Sequence, residues 1–159
     1  MEQSARRSEP VAGAIRPAGP ADLPGLSRID STIFAADPYP FFVLRQLFDV
    51  HGEHFLVLDC DDELTGYTLL ANTPDRRVSW VLGLGVVPHA RGLGHGRRLM
   101  TEGLDRMVAD KVREARLTVE PDNTIALNLY HSLGFTVVQL CAGYFGPGED
   151  RLIMSLPIG

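Results

Sequence analysis

Hydrophobic positions along the chain alternate between helical and strand spacing in short stretches. The first helical stretch follows Asp22, which we expect to cap it, and its apolar residues lie three or four positions apart: Leu23, Leu26, Ile29 and Ile33. The proline-containing run Asp37-Pro38-Tyr39-Pro40 ends that helix, since proline cannot continue it. A second short helix is predicted over residues 41–50.

The remaining stretches are mostly strand-like. An acidic turn, Asp61-Asp62-Glu63, separates two of them, and a longer strand follows. The predicted order is β-α-α-β-β-β-α-β-α-β-β, with strands over residues 14–16, 54–59, 66–72, 78–87, 115–119, 135–140 and 152–156, and later helices over residues 94–110 and 124–133. Asp122 or Asn123 is expected to cap the last helix, and Gly134 to end it.

One strand–helix–strand unit fixes part of the topology. Residues 78–87, 94–110 and 115–119 form a βαβ unit, so its two strands should be parallel with a right-handed crossover. The other strands follow one another through short turns, as in an antiparallel meander. We therefore expect an α+β fold, with a mixed and mostly antiparallel sheet and helices on both faces.

Composition narrows the class of protein. The 159 residues include 15 Lys+Arg and 20 Asp+Glu, and 45% are hydrophobic, which is ordinary for one globular domain. No apolar run approaches the roughly 20 residues that span a bilayer, and no concentrated basic face suits nucleic acid. We expect a flexible arm over residues 1–12 without the apolar core of a secretory signal, a single domain over residues 13–159, and a cytoplasmic protein. Cys60 and Cys141 are too few for a disulfide framework or a zinc site, and no metal is expected.

Three glycines at alternate positions, Gly92, Gly94 and Gly96, lie between a predicted strand and a predicted helix. Glycines there let backbone N–H groups converge at a helix N-terminus, which favours a bound phosphate. The run lacks the Lys-Ser/Thr of a P-loop, and its spacing is not that of a dinucleotide fingerprint. With Arg91 and Arg97 on either side, a pyrophosphate is the indicated ligand, and a flexible turn without ligand is the alternative.

A second group of residues follows the parallel strand. Glu120 is two positions from Thr118 and so shares its face of the strand, and Tyr130 shares a helical stripe with Ala126 and Leu133. Tyr130 is either a core residue or a phenol at the mouth of the strand pair. Glu120 is either a solvated carboxylate or a catalytic base.

The two groups together resemble the GNAT superfamily of acyl-CoA N-acyltransferases. Arg91, Gly94 and Gly96 match its Gln/Arg-x-x-Gly-x-Gly/Ala motif. A downstream pattern, Asn-x-x-Ala-x-x-Leu-Tyr-x-x-x-Gly-Phe, is matched at Asn123, Ala126, Leu129, Tyr130, Gly134 and Phe135. The ending, Gly148-Glu149-Asp150 before Ile153, is most similar to RimI-type N-terminal acetyltransferases, from which Phe145 and Arg151 depart.

The resemblance implies a site for acetyl-CoA as acyl donor between splayed parallel strands. The backbone of Leu84, Gly85 and Val86 would hold the pantetheine arm, and Asn123 would contact the pantetheine or the thioester. Tyr130 would protonate the departing thiolate as general acid. The pyrophosphate would lie against the glycine turn, at Arg91, Gly92, Leu93, Gly94, His95, Gly96 and Arg97.

One departure bears on the general base. RimI-type enzymes carry a glutamate where this chain has Thr118, so either Glu120 acts through a water or the reaction needs little help from a base. At pH 7 an α-amine with a pKa of about 7.8 is roughly 14% neutral, against about 0.04% for a lysine of about 10.4. An α-amine is therefore the favoured acceptor.

The resemblance also implies an acceptor groove between the first two helices and the last hairpin, lined by Phe34, Asp37, Tyr39, Phe41, Tyr144 and Glu149. Aromatic and acidic side chains suit a cationic amine. The implied reaction moves acetyl to a primary amine, such as a protein N-terminus, by direct attack in a ternary complex. The alternatives are a small-molecule amine acceptor (polyamine, aminoglycoside or amino acid) and a non-catalytic acyl-CoA sensor. We expect a monomer or homodimer without nucleic-acid or membrane partners.

Overall fold

The computed structural model describes residues 13–159, so the predicted arm over residues 1–12 lies outside the described part. The predicted order of elements is confirmed within that part. The strands are β1 (Ala14–Pro17), β2 (Phe55–Cys60), β3 (Glu63–Asn72), β4 (Val78–Val86), β5 (Glu114–Val119), β6 (Thr136–Cys141) and β7 (Arg151–Pro157). The α-helices are α1 (Leu23–Ile33), α2 (Phe41–His51), α3 (His95–Ala109) and α4 (Thr124–Ser132). None of these helices is long and apolar enough to cross a bilayer.

The seven strands form a single sheet in the order β1-β2-β3-β4-β5-β7-β6. β4 and β5 are parallel and every other neighbouring pair is antiparallel, as predicted for the βαβ unit. β3 begins three residues before its predicted start at residue 66. Asp61 and Asp62, both at positive φ, turn the chain so tightly that Glu63 already pairs with Cys60.

Helices cover both faces of the sheet, and β3 shows why. Successive strand residues point to opposite faces, so Leu69 packs with Leu26 of α1 and Leu44 of α2, whereas Leu70 packs with Met100 of α3. Burial of apolar side chains on both faces holds the sheet between the two helical layers. The predicted α+β class is thereby confirmed.

The expected helix caps are only partly present. Asp22 precedes α1, but its carboxylate accepts hydrogen bonds from Arg16 Nη1 at 2.7 Å and from Gly19 N at 2.7 Å, so it does not cap the helix by its side chain. At α4 the cap is Asn123, whose Oδ1 accepts from Ala126 N at 3.2 Å. Gly134, at φ +100°, ends α4 as predicted.

β4 and β5 separate halfway along β4. They pair only from Val78 to Val81, which lies opposite Leu117 of β5. On the other edge of β4, Leu69 of β3 pairs with Gly83 and Leu70 with Val81, so Leu82 is an extra residue in a β-bulge. Beyond the bulge β4 stays paired with β3 alone, and the gap towards β5 opens.

Gly83 at the bulge lies against the ring of Tyr67. A Cβ on Gly83 would lie 2.9 Å from Cε2 and 3.1 Å from the hydroxyl oxygen of Tyr67, which is itself 1% exposed. The ring cannot move aside without displacing the core around it. Glycine is therefore required here for close packing.

We predict that Gly83→Ala lowers the free energy of unfolding by about 1–3 kcal/mol, because the added methyl overpacks a site that has no room. Gly94→Ala is a useful comparison, because a Cβ there meets no atom within 4 Å and only the strain of its positive φ remains. Chemical denaturation of the three proteins measures both effects. A Gly83→Ala protein as stable as the parent would contradict this packing account.

Candidate active site

A cavity of about 470 Å³ occupies the gap between β4 and β5. Leu82 and Leu84 of β4 line one side, and Thr118 with Glu120 line the other. Tyr130 and Ala126 from α4 also line it. The sheet therefore contains an open slot where two parallel strands would otherwise be joined by hydrogen bonds.

The edge of β4 that faces the slot carries backbone groups that pair with no other strand beyond Val81. Val87 N donates to Thr65 O of β3, and successive residues of a strand present their N–H and C=O groups to opposite edges. Val86 and Leu84 therefore face the slot. An extended ligand could hydrogen-bond to them as another strand would.

Gly85 differs from its two neighbours. Its peptide groups face β3, and a Cβ on it would lie 2.9 Å from Ile33 Cγ2 of α1. It lets the strand approach α1 closely but offers the slot no hydrogen-bonding group. The expectation that all three backbone positions bind one ligand is therefore corrected for Gly85.

The glycine turn lies at the end of β4, directly before α3. Gly92 and Gly94 have φ of +79° and +80°, and a Cβ at either position would meet no atom within 4 Å. α3 begins at His95 and runs for 15 residues, so its N-terminal N–H groups face the turn with their partial positive charge. An anion of phosphate size fits this arrangement.

The other residues of the turn are placed as follows. Arg91 Nε donates to Val86 O at 3.0 Å, and Arg97 donates to the hydroxyl of Ser132 in α4. Each guanidinium has five N–H donors, so both keep donors for an anion. The Leu93 side chain is exposed and that of His95 is buried.

Tyr130 lies both in the core and at the slot. It packs edge-on against Phe135, with ring centres 6.0 Å apart, and only 8% of its surface is exposed. It also lines the slot. Burial raises the pKa of its hydroxyl to about 12, so the phenol is protonated at neutral pH.

Arg151 is a site residue that the sequence marks only as a departure from a family pattern. Its Nη2 lies 3.1 Å from Glu149 and 3.6 Å from Glu120, and its guanidinium stacks 5.0 Å from the ring centre of Phe145. Glu120 follows the last residue of β5 with its side chain more than half exposed. The carboxylate predicted as a base is thus ion-paired at the mouth of the slot.

A second cavity of about 340 Å³ adjoins the first. Both are lined by the same five residues: Phe34, Asp37, Leu82, Gly83 and Arg151. Tyr39 and Glu149, two of the residues predicted to line an acceptor groove, also line the second cavity. The two cavities therefore meet at the bulge in β4.

Two expected acceptor residues do not line the second cavity. Phe41 is half exposed, and Tyr144 is 41% exposed with its ring packed on Phe145, 4.9 Å between centres. Phe145 lines the cavity instead. Tyr144 and Phe145 are adjacent in the loop between β6 and β7, and nothing in the sequence distinguishes which of them points inward.

Sequence reasoning missed Asp30 and Tyr67, which also line this cavity. Asp30 follows Ile29 on the buried side of α1, and both Asp30 and Tyr67 are 1% exposed. Tyr67 hydroxyl donates to Asp30 Oδ1 at 2.6 Å, and Tyr39 N donates to Oδ2 at 2.8 Å. A carboxylate on the apolar stripe of a helix was the available signal.

Comparison with known proteins places this geometry in a family. A family model described as the acetyltransferase (GNAT) family matches residues 25–135. An N-alpha-acetyltransferase of Sulfolobus acidocaldarius is 26% identical over 155 residues, covering 91% of this chain and 92% of that protein. The [ribosomal protein bS18]-alanine N-acetyltransferase of Salmonella typhimurium is 28% identical over 142 residues, covering 86% and 92%.

Further similar proteins include mycothiol acetyltransferases and a solved structure. Mycothiol acetyltransferases match as well. The one from Streptomyces griseus is 35% identical over 93 residues, and the match covers 58% of this chain. The chain spans about a third of the length of these relatives. The crystal structure of Ard1 from Thermoplasma volcanium has the same fold, with a TM-score of 0.87 and 24% identity over 94% of this chain and 99% of that one. With the family model matching more than half of its residues, the chain belongs to the acetyltransferase (GNAT) family.

Proposed function

We propose that the protein transfers an acetyl group from acetyl-CoA to a primary amine, and that a peptide α-amine is the preferred acceptor. The observation that carries the proposal is the meeting of two cavities at Leu82 and Gly83. One is the slot, which runs beside the part of β4 that is unpaired with β5, towards the glycine turn with its open space at Gly92 and Gly94. The other is lined by aromatic and acidic side chains that suit an amine.

The donor fits the slot by its chemistry. The amide-containing pantetheine arm would pair with Leu84 and with the N–H of Val86, whose carbonyl already accepts from Arg91, as a short additional strand. The pyrophosphate would lie at Gly92–Arg97, against the N-terminus of α3. The cap at Asn123 uses Oδ1, so the two N–H donors of its Nδ2 remain for the arm or the thioester.

The chemical step then takes place at the bulge. The neutral amine attacks the thioester carbonyl carbon, the C–N bond forms and the C–S bond breaks, and the sulfur leaves as thiolate. Tyr130 gives its phenolic proton to that sulfur and regains a proton from solvent, and the proton lost by the nitrogen passes to solvent or to Glu120 through a water. Holding nitrogen and carbonyl carbon together in one site supplies much of the rate enhancement.

The raised pKa of Tyr130 has two effects. At about 12 it keeps the phenol protonated over the whole physiological range, so a donor is always present. It also makes the phenol a weaker acid than an exposed tyrosine. Tyr130 therefore acts chiefly by donating a hydrogen bond to the charge that develops on sulfur, with proton transfer completing as the C–S bond breaks.

The lack of a strong general base favours acceptor amines of low pKa. Thr118 cannot act as a base, and Glu120 is exposed and paired with Arg151. An acceptor with a substantial neutral fraction at pH 7 needs the least help, which selects an α-amine with a pKa of about 7.8 over a lysine of about 10.4. The relatives named N-alpha-acetyltransferase and [ribosomal protein bS18]-alanine N-acetyltransferase, each matched over 92% of its length, support the same acceptor.

A small-molecule amine is the second candidate, because four mycothiol acetyltransferases are 34% to 40% identical to this chain over 76 to 121 residues. The acceptor cavity, at about 340 Å³, is large enough for one amino-acid residue or a small amine. A non-catalytic acyl-CoA sensor accounts less well for Tyr130, since binding alone has no use for a proton donor at the slot.

We expect Tyr130→Phe to lower kcat by about tenfold to a hundredfold, with acetyl-CoA affinity little changed, because only the proton donor is removed. Steady-state kinetics of thiol release and calorimetric binding of acetyl-CoA measure the two quantities. The ring packing against Phe135 is retained in this variant, so its melting temperature serves as the folding control. Unchanged kcat would reduce Tyr130 to a core residue.

Gly94→Leu should weaken CoA binding at least about tenfold, because its side chain fills the open space at the turn. Gly94→Ala carries the same strain from the φ of +80° with a much smaller side chain, so it should lose less affinity at similar stability. Calorimetric titration with CoA compares the two. Equal affinities in both variants and the parent would show that the turn holds no phosphate.

A panel of acceptors tests the function itself. Peptides with free N-termini should be acetylated faster than N-blocked peptides containing lysine, with kcat/KM rising through a pKa of about 7.8. The pKa of Tyr130, raised to about 12, predicts no loss of activity from its ionisation below about pH 11. Mass spectrometry of the products identifies the acetylated nitrogen. Faster acetylation of lysine side chains would contradict the proposal.

A further inference from the structure

Asp30 is a buried carboxylate at the inner wall of the acceptor cavity. It is 1% exposed, and it lines that cavity together with Phe34 and Tyr39. It does not line the slot where the donor is proposed to bind. From this position Asp30 faces a bound acceptor and not the donor.

The hydrogen bonds of Asp30 leave its charge unbalanced. Both oxygens act as acceptors, one from the hydroxyl of Tyr67 at 2.6 Å and the other from the backbone N–H of Tyr39 at 2.8 Å. Both donors are neutral. Within residues 13–159, no nitrogen of Lys, Arg or His lies within the 4.0 Å of an ion pair with Asp30. A buried charge without a counter-ion is unfavourable, and a cation entering the cavity would relieve that cost.

The other acidic residues of the cavity differ from Asp30. Asp37 is exposed to solvent, and Glu149 is ion-paired with Arg151 at 3.1 Å. Water and salt screen exposed charges strongly, and a paired carboxylate exerts little net field. Arg151 lines the same cavity, but its guanidinium is held by Glu149 and Glu120. Asp30 thus supplies the least screened negative charge at this wall.

The network also fixes where that charge lies. Tyr67 packs against Gly83 at the bulge, and the hydroxyl of Tyr39 reaches Leu82 O at 3.4 Å. Burial together with the charge of Asp30 raises the pKa values of Tyr67 and Tyr39, so both remain neutral and do not add a second negative charge. Asp30 is held beside the junction of the two cavities.

We propose that Asp30 is the counter-ion that selects the protonated, cationic form of the acceptor amine on entry to the cavity. This inference rests on the proposed function for the identity of the acceptor. Asp30 acts in binding, and the bound ammonium still gives up one proton to solvent before its nitrogen attacks the thioester as the neutral amine. Neutral molecules of the same shape should bind less well.

A matched pair of probes tests this. Alaninamide carries an ammonium group at neutral pH, and lactamide has a hydroxyl group in its place and is otherwise the same. Calorimetric titration in the presence of CoA should show alaninamide binding the parent protein at least about tenfold more tightly than lactamide. In Asp30→Asn the ratio should fall towards one, because the amide keeps the shape and removes the charge.

Two control variants separate charge from structure. Tyr67→Phe removes the hydroxyl that bonds Asp30 but retains the carboxylate, so it should keep the preference for alaninamide. Asp37→Asn makes the same chemical change at an exposed carboxylate of the same cavity and should reduce the ratio less than Asp30→Asn does. A merely structural role for Asp30 would weaken both probes equally and leave their ratio unchanged.

A salt series tests the role of the Asp30 charge without any variant. Raising NaCl from about 0.05 M to about 0.5 M screens exposed carboxylates but acts weakly on a buried one, so the ratio in the parent protein should hold. A ratio that collapses with salt, a parent protein that does not bind alaninamide more tightly than lactamide, or an Asp30→Asn protein that keeps the tenfold preference would each overturn the inference.

Acetylation of alaninamide by the parent protein is measured alongside. Transfer without any preference for the cation would leave the proposed function standing and remove this role of Asp30. Preference without transfer would support the cation site and count against the proposed function.

Discussion

The separation of β4 from β5 beyond Val81 is the constraint on which the rest of the site depends. Each strand remains paired on its outer edge, β4 with β3 and β5 with β7, so the sheet survives while its centre opens. The opened edge leaves strong backbone donors and acceptors that require a partner. The extra residue at Leu82 makes the change of register that starts this divergence.

Several other features serve to hold the opening in place. Gly83 lets Tyr67 pack beneath the bulge, and Tyr67 in turn is tied to α1 through Asp30. On the far side, Tyr130 packs into the core with Phe135 and still reaches the slot. One set of contacts therefore stabilises the fold and places Tyr130 at the slot, where the proposed reaction needs a proton donor.

The electrostatics of the two cavities differ for a physical reason. The end proposed for the donor combines the backbone dipoles at the start of α3 with the guanidinium groups of Arg91 and Arg97, and both attract an anion. The second cavity is lined by a buried carboxylate and aromatic rings, which favour a cation. The proposed function therefore assigns donor and acceptor to two cavities that meet at Leu82 and Gly83.

The order of elements, the parallel pair and the glycine turn follow from hydrophobic period and glycine spacing, which are local properties. The cap at Asn123 and the end of α4 at Gly134 are local as well. Long-range packing decides the rest. Phe145 rather than Tyr144 lines the second cavity, Gly85 faces β3, and Arg151 joins Glu120 to Glu149, all through contacts between elements distant in sequence. Asp30 falls between these cases, because a charge on an apolar helical stripe is visible in the sequence while its partner Tyr67 is not.

The claim that the opened edge of β4 receives the donor is tested most directly by hydrogen exchange at single amides. The account predicts that acetyl-CoA slows exchange at Leu84 and Val86, whose N–H groups face the slot, and changes little at Gly85, whose N–H already faces β3. Slower exchange at Gly85 alone, or no change at Leu84 and Val86 at saturating acetyl-CoA, would contradict it.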